Sequence, residues 1–156
     1  MKLLKTWEFL GSTKLGRLIF SFLLGLFIPY SGSVRSRVTS LEPGNVTLLL
    51  KERRAVRNHL RSVHAIAQAN VAELASGLAM VSCLSNKTRS IVTKIEIEYL
   101  KKARGVLTVK GSANPPQQID DKTESFAYAD IFDEEGELVS KTKVTWLLDI
   151  KNNERK

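Results

Sequence analysis

The stretch VHAIAQANVAELASGLAMVS, residues 63–82, carries one acid, Glu73, among small and apolar side chains. Its apolar positions fall on every side of a 3.6-residue wheel, the pattern of a buried helix. A carboxylate in such a helix is costly to desolvate unless it is paired, protonated or solvated within a pocket. Glu73 therefore either reaches water through an opening or serves chemistry, and a part-buried carboxylate with a raised pKa suits proton abstraction. Upstream stand Asn58 and His64, and His64 lies nine residues before the acid. On a helix, nine residues are about 13.5 Å of rise and a rotation near 180°. One chain cannot bring both residues to one small site, whereas two antiparallel copies of the helix can.

The elements around this helix read as follows. Residues 15–33, LGRLIFSFLLGLFIPYSGS, are the hydrophobic peak, and the uncharged run from Leu18 to Ile28 is too short to span a bilayer of about 30 Å. Trp7, Glu8 and Phe9 suggest that the segment is an amphipathic helix rather than a secretory signal core, and Pro29 ends the apolar helix. Residues 1–30 are expected as a helical segment packed on the domain, with a membrane-surface anchor and a secretory signal core as alternatives. Residues 33–42 and 46–52 alternate as strands around the turn Pro43-Gly44-Asn45. After the helix, residues 88–102 alternate strictly, with Ile95, Ile97 and Tyr99 opposite Lys94, Glu96 and Glu98. Arg104-Gly105 turns this strand into 105–113, residues 114–121 form a loop, and 125–133 with 138–150 make a hairpin around Glu134-Glu135-Gly136. Only an antiparallel sheet is large enough to cover the helix, so the fold class is α+β, with a curved sheet wrapped around one long central helix. The domain spans 31–150, and 151–156 is a charged tail.

Composition narrows the partners. With 156 residues, 43% apolar and 26% charged, the chain is about one globular domain. Its single cysteine, Cys83, excludes an internal disulfide and a cysteine-based metal framework, points to a reducing compartment, and reads as a small core residue. No metal site and no cofactor are expected. The charge of +8 is spread along the chain without a zinc-finger spacing, an RNP-like motif or a phosphate loop, so nucleic acid is not the expected partner. Trp7 and Trp146 read as packing residues.

The element order, with Asn58, then His64, then Glu73 leading into Ala75, Ser76 and Gly77, resembles the hot-dog fold. It is closest in pattern to phenylacetate-pathway-type acyl-CoA thioesterases and a related group of uncharacterised hot-dog domains. The family pattern runs Asn, five residues, His-Gly-Gly, then Leu-Ala followed by an acid; VAELASG supplies that acid, and IEIEYLKKARG looks like the central strand. The resemblance covers about residues 30–150 and departs at Ala65 and Ile66, where the family has glycines, and at Val92, with Thr93 beside it, where a hydroxyl residue often assists.

What the resemblance implies is hydrolysis of an acyl-CoA thioester at a site shared across a homodimer, which could pair into a tetramer. Glu73 would be general base or nucleophile. The amides of Ala65 and Ile66, at the positive end of the helix, would take the oxyanion. Asn58 would hold the water or the carbonyl, and His64 would orient the loop or donate a hydrogen bond. Lys101, Lys102 and Arg104 would meet coenzyme A phosphates, with Thr93 on the substrate side; coenzyme A enters only as part of the substrate. Each has a plainer reading: Asn58 as a turn cap, His64 and Glu73 as structural residues, the three cations as solvated charge at a strand end. Two other functions are consistent with the sequence. One is a non-catalytic hot-dog protein binding acyl chains or acyl-CoA; the other is a membrane-associated interaction domain. A cytoplasmic location is expected, with weak membrane-surface contact through residues 15–28.

Overall fold

The alternating segments form one antiparallel sheet, and the apolar helix lies across it. The computed structural model describes residues 3–119 and 122–150. Three helices come first: α1 (Leu3–Leu10), α2 (Lys14–Phe27) and the short α3 (Pro29–Gly32). Strands β1 (Arg37–Glu42) and β2 (Asn45–Lys51) follow, then a 3₁₀ turn, Arg54–Val56, and the long helix α4 (Ala65–Cys83). Strands β3 (Thr88–Tyr99), β4 (Val106–Ala113), β5 (Thr123–Phe132) and β6 (Leu138–Ile150) complete the fold. The sheet order is β1-β2-β4-β5-β6-β3. A curved antiparallel sheet around a central helix is the hot-dog arrangement expected.

Inward positions alternate along the inner strands: Val46, Leu48 and Leu50 on β2, Leu107 and Val109 on β4, and Ala127, Ala129 and Ile131 on β5 are all buried. Burying each of the larger aliphatic side chains contributes about 1.5–3 kcal/mol. The helix lies close against the sheet at Gly111 of β4, where a Cβ would stand 2.6 Å from the Ala75 carbonyl oxygen. Only a residue without a side chain permits that contact.

The structure differs from the sequence reading in four places. First, Gly105 does turn the chain, with φ of 72°, but the strands on its two sides do not pair. β3 pairs only with β6, from Thr88 opposite Ile150 to Tyr99 opposite Ser140, while β4 lies between β2 and β5. The connection is held elsewhere: Ala103 is buried, and its carbonyl accepts the Val63 amide beneath the start of α4. Second, the strand expected from residue 33 begins at Arg37. Third, the N-terminal segment is two main helices rather than one. Thr13 caps α2 by accepting the Gly16 amide at 3.0 Å, and the chain breaks there. Fourth, Cys83 is exposed at the end of α4, because the last turn runs past the sheet that would cover it.

The N-terminal helices pack on the domain through Leu3, Phe20 and Leu24, and Trp7 meets Phe20 edge-to-face at 5.1 Å. They also close one sheet edge, since the Val38 amide of β1 donates to Ser21 of α2 at 3.0 Å. The opposite edge, β3, has no strand on its outer side among the described residues. The expected tail, 151–156, lies outside the described residues.

Candidate active site

Helix α4 is buried on all sides but one. Apart from the residues at its two ends, its less-covered residues are Ile66, Ala69, Glu73, Gly77 and Val81, spaced three or four apart, so they form one stripe along the helix. Glu73 stands at the middle of that stripe. This answers the question its presence raised: the carboxylate reaches an opening between α4 and its neighbours.

That opening is a cavity of about 490 Å³. Glu73, Gly77 and Val81 form its floor, α1 and α2 supply Leu3, Leu24 and Phe27, and Trp146 with the start of β3 closes the far wall. The lining around the acid is mainly apolar, and burial raises the Glu73 pKa above the usual 4.5. Ser76 donates to the Glu73 backbone carbonyl at 2.8 Å and so makes no bond to the carboxylate. Lys5 is at the same opening and exposed.

The start of α4 is a separate place. His64 is the N-cap, and its Nδ1 accepts the Ile66 amide at 3.0 Å. Of the two amides expected to face an oxyanion, Ile66 is thus held by the imidazole, and Ala65 is left as the first amide of the helix, where no intrahelical acceptor exists. Asn58 spends its side-chain oxygen on its own loop, accepting from the Leu60 amide at 2.9 Å and from the Ser62 amide at 3.2 Å. It caps that turn and leaves only its Nδ2 end to reach outward. Neither Asn58, His64, Ala65 nor Ile66 lines the Glu73 cavity. Within one chain the expected catalytic residues stand in two groups, as the nine-residue spacing requires.

The expected substrate-binding residues are also dispersed. Lys101 pairs with Asp133 at 2.6 Å, and that contact raises the lysine pKa and lowers that of the carboxylate. Lys102 and Arg104 are exposed nearby. Thr93 is at a bulge of β3 and donates to the Thr145 carbonyl at 3.3 Å.

Sequence reasoning missed two site neighbours. Tyr99 donates its hydroxyl to the Ala65 carbonyl at 2.9 Å, tying the end of β3 to the start of α4; burial raises its pKa. Alternation placed Tyr99 on a strand face but gave no sign of which helix end it meets. Trp146, buried at 6% exposure, stacks its ring edge against Gly77, one turn from Glu73. Among the described residues, no cluster of three or more His, Cys, Asp or Glu side chains could hold a metal ion.

With this geometry in place, similarity to known proteins can be assigned. A family model described as a domain of unknown function (DUF4442) matches residues 16–148. The chain belongs to that family. No curated protein matches it. Among solved structures, one described only by its genomics label is 26% identical, with a TM-score of 0.78 over 96% of this chain and 98% of its own. A protein of unknown function from Pseudomonas aeruginosa, described as a probable thioesterase, is 24% identical, with a TM-score of 0.72 over 88% of this chain and 95% of its own. A thioesterase family protein from Silicibacter pomeroyi is 20% identical, with a TM-score of 0.70 over 86% of this chain and 96% of its own. These likenesses place this DUF4442 domain in the hot-dog fold.

Proposed function

We propose that this DUF4442 domain hydrolyses acyl thioesters, acyl-CoA first among them, with Glu73 as the acid–base group. The observation that carries this reading is the desolvated Glu73 carboxylate at the floor of an apolar cavity large enough for an acyl chain. Thioesterase descriptions of the structural neighbours support it. In the reaction, ionised Glu73 takes a proton from water as the water oxygen bonds to the carbonyl carbon. The tetrahedral oxyanion collapses, the C–S bond breaks, and the thiolate leaves with a proton returned from Glu73. Positioned acid–base groups of this kind contribute roughly 100- to 10,000-fold. As nucleophile, Glu73 would instead attack the carbonyl carbon and displace the thiolate as the C–S bond breaks, forming a mixed anhydride that water then cleaves to the acid and free Glu73.

The unit that performs this chemistry is a homodimer in this reading. Three features support it. Among the described residues the outer edge of β3 is unpaired; Ile91 and Ile95 on that strand are about half exposed; and the open stripe of α4 combines small residues with exposed Ile66 and Val81. A partner laid antiparallel along β3 and α4 would set its Ala65 amide and His64 cap beside this chain's Glu73. One preorganised oxyanion donor is worth about 3 kcal/mol. Lys102 and Arg104, rather than the paired Lys101, are then the cations for substrate phosphates, whether on coenzyme A or on a protein-bound phosphopantetheine. The location that goes with this reading is cytoplasmic and membrane-peripheral, with contact through residues 15–28.

The test is free-thiol release from short, medium and long acyl-CoAs by wild type and Glu73→Gln. The expected result is turnover by wild type that falls about 100-fold or more in the variant. A well-folded wild type inactive on every chain length would favour the second reading, an acyl-binding protein. Ala65 and Ile66 in place of glycines favour that reading, since Ile66 adds bulk where a thioester would approach the backbone.

A further inference from the structure

Helix α2 has two apolar faces, and the chain uses one. Gly16, Phe20 and Leu24 point into the domain. On the opposite side Leu15, Ile19, Phe22 and Leu26 recur at spacings of four, three and four, and are 67%, 42%, 66% and 64% exposed. A monomeric soluble surface rarely leaves such a contiguous apolar strip uncovered. Beside it runs a groove of about 830 Å³, walled by Leu18, Phe22, Leu26 and Pro29, and Arg35 and Arg37 stand at its rim. Lys14 stands exposed at the start of the same helix, where Arg17 turns inward and donates its Nε to the Gly11 carbonyl at 2.8 Å. Residues 1–37 hold six basic side chains and one acid, Glu8, and α2 holds no acid at all.

We propose that the outer face of α2 docks on an anionic lipid bilayer. This rests on the peripheral location proposed above and names its partner. A helix with an apolar stripe and a cationic rim lies in the interface plane, its apolar side chains sunk to the acyl boundary and its cations at the phosphates. Among the described residues no helix is long and apolar enough to cross a membrane, so α2 lies on the bilayer rather than through it. A second copy of the chain fits this face less well. A two-fold contact would repeat the same patch on both sides and set cations against cations, with no carboxylate on the helix to answer them. The arginines at the groove rim mark where lipid phosphates would sit. Leu24, Ile28, Ser31 and Leu74 line both this groove and the Glu73 cavity, so the docked face and the acyl site share one wall.

The experiment is co-sedimentation of the full chain with vesicles of phosphatidylcholine alone and with vesicles containing about one-third phosphatidylglycerol. The expected result is binding at least about tenfold tighter to the anionic vesicles, weakening as salt is raised. Phe22→Asp combined with Leu26→Asp abolishes it, and Arg35→Glu combined with Arg37→Glu weakens it about tenfold or more. Both pairs leave hydrolysis of a soluble short acyl-CoA at the wild-type rate, so a failure of docking is separable from a failure of the hydrolase reading. Circular dichroism checks folding, and the arginine pair decides if the helix pair unfolds. Equal binding to both vesicles overturns the anionic partner while keeping the peripheral location. No binding to either overturns both. A change of oligomer mass in either variant pair gives the face to a second copy and overturns the lipid assignment.

Discussion

At the scale of single residues, Glu73 sets the behaviour most open to measurement. Burial raises its pKa in the folded chain above the usual 4.5, so the folded state holds its proton over a window where the unfolded state has lost it. Stability contributed by the neutral carboxyl is fully present below 4.5 and is lost as pH rises through the raised value. Wild type is therefore expected to lose melting temperature across that window, while Glu73→Gln stays level there and is the more stable of the two at neutral pH. Thermal denaturation followed from pH 4 to 8 checks this; parallel curves for the two proteins would refute the desolvation argument. Glu52 shows the opposite sign. The Gly105 amide donates to its carboxylate at 2.7 Å, and with Arg57 alongside its pKa is lowered. Its contribution is present above the ordinary carboxylate range and fades as pH falls through the lowered value. Asn58 belongs at this scale too: Asn58→Ala removes the acceptor of three hydrogen bonds in its loop and is expected to cost about 1–2 kcal/mol. Urea denaturation reads that loss, and an unchanged midpoint would return Asn58 to a role toward substrate alone.

The elements carry the next level. Helix α4 is held close to the sheet at Gly111, and a Cβ there would meet backbone rather than a flexible side-chain end. Gly111→Ala is expected to lose about 1–3 kcal/mol as helix and strand separate. A urea midpoint equal to that of wild type would show that the contact can relax freely. Because the same helix carries Glu73, the variant is also expected to lower turnover. The α2 face belongs to this scale as well: an amphipathic helix whose inner residues pin it to the domain leaves its outer residues in a fixed line, ready for a flat partner.

For the whole molecule, the bare edge of β3 is the feature with the largest consequence. Long unpaired strand edges with exposed aliphatic residues promote association, and proteins protect them or pair them. Ile91→Lys combined with Ile95→Lys is expected to convert the proposed dimer into a folded monomer, read as halved mass by size-exclusion chromatography with light scattering. If the site is shared between protomers, turnover in that monomer falls about 100-fold or more while its circular dichroism is unchanged. A monomer of full activity would place the whole site within one chain.

Much of this architecture was legible in the sequence, because its signals are local. Alternation and turn residues marked all six strands, Pro29 ended the apolar helix, and the acid within VAELASG identified the helix position where chemistry was to be sought. Local signals could not say which strands pair. Residues 88–102 and 105–113 are joined by a glycine turn, yet β3 pairs with β6 and β4 with β2 and β5, since register is set by the whole sheet. Nor could they show that His64 would take the Ile66 amide, that Lys101 would be held by Asp133, or that Tyr99 would reach Ala65. Those contacts join residues whose neighbours come from other elements or from a cap geometry that only the finished turn creates. By itself the sequence determined the elements, the wrapped helix and the one unusual acid, through periodicity and the cost of burying charge. Only the tertiary structure decided which side of α4 stays open, and so what Glu73 faces, because that depends on where the sheet and the N-terminal helices stop.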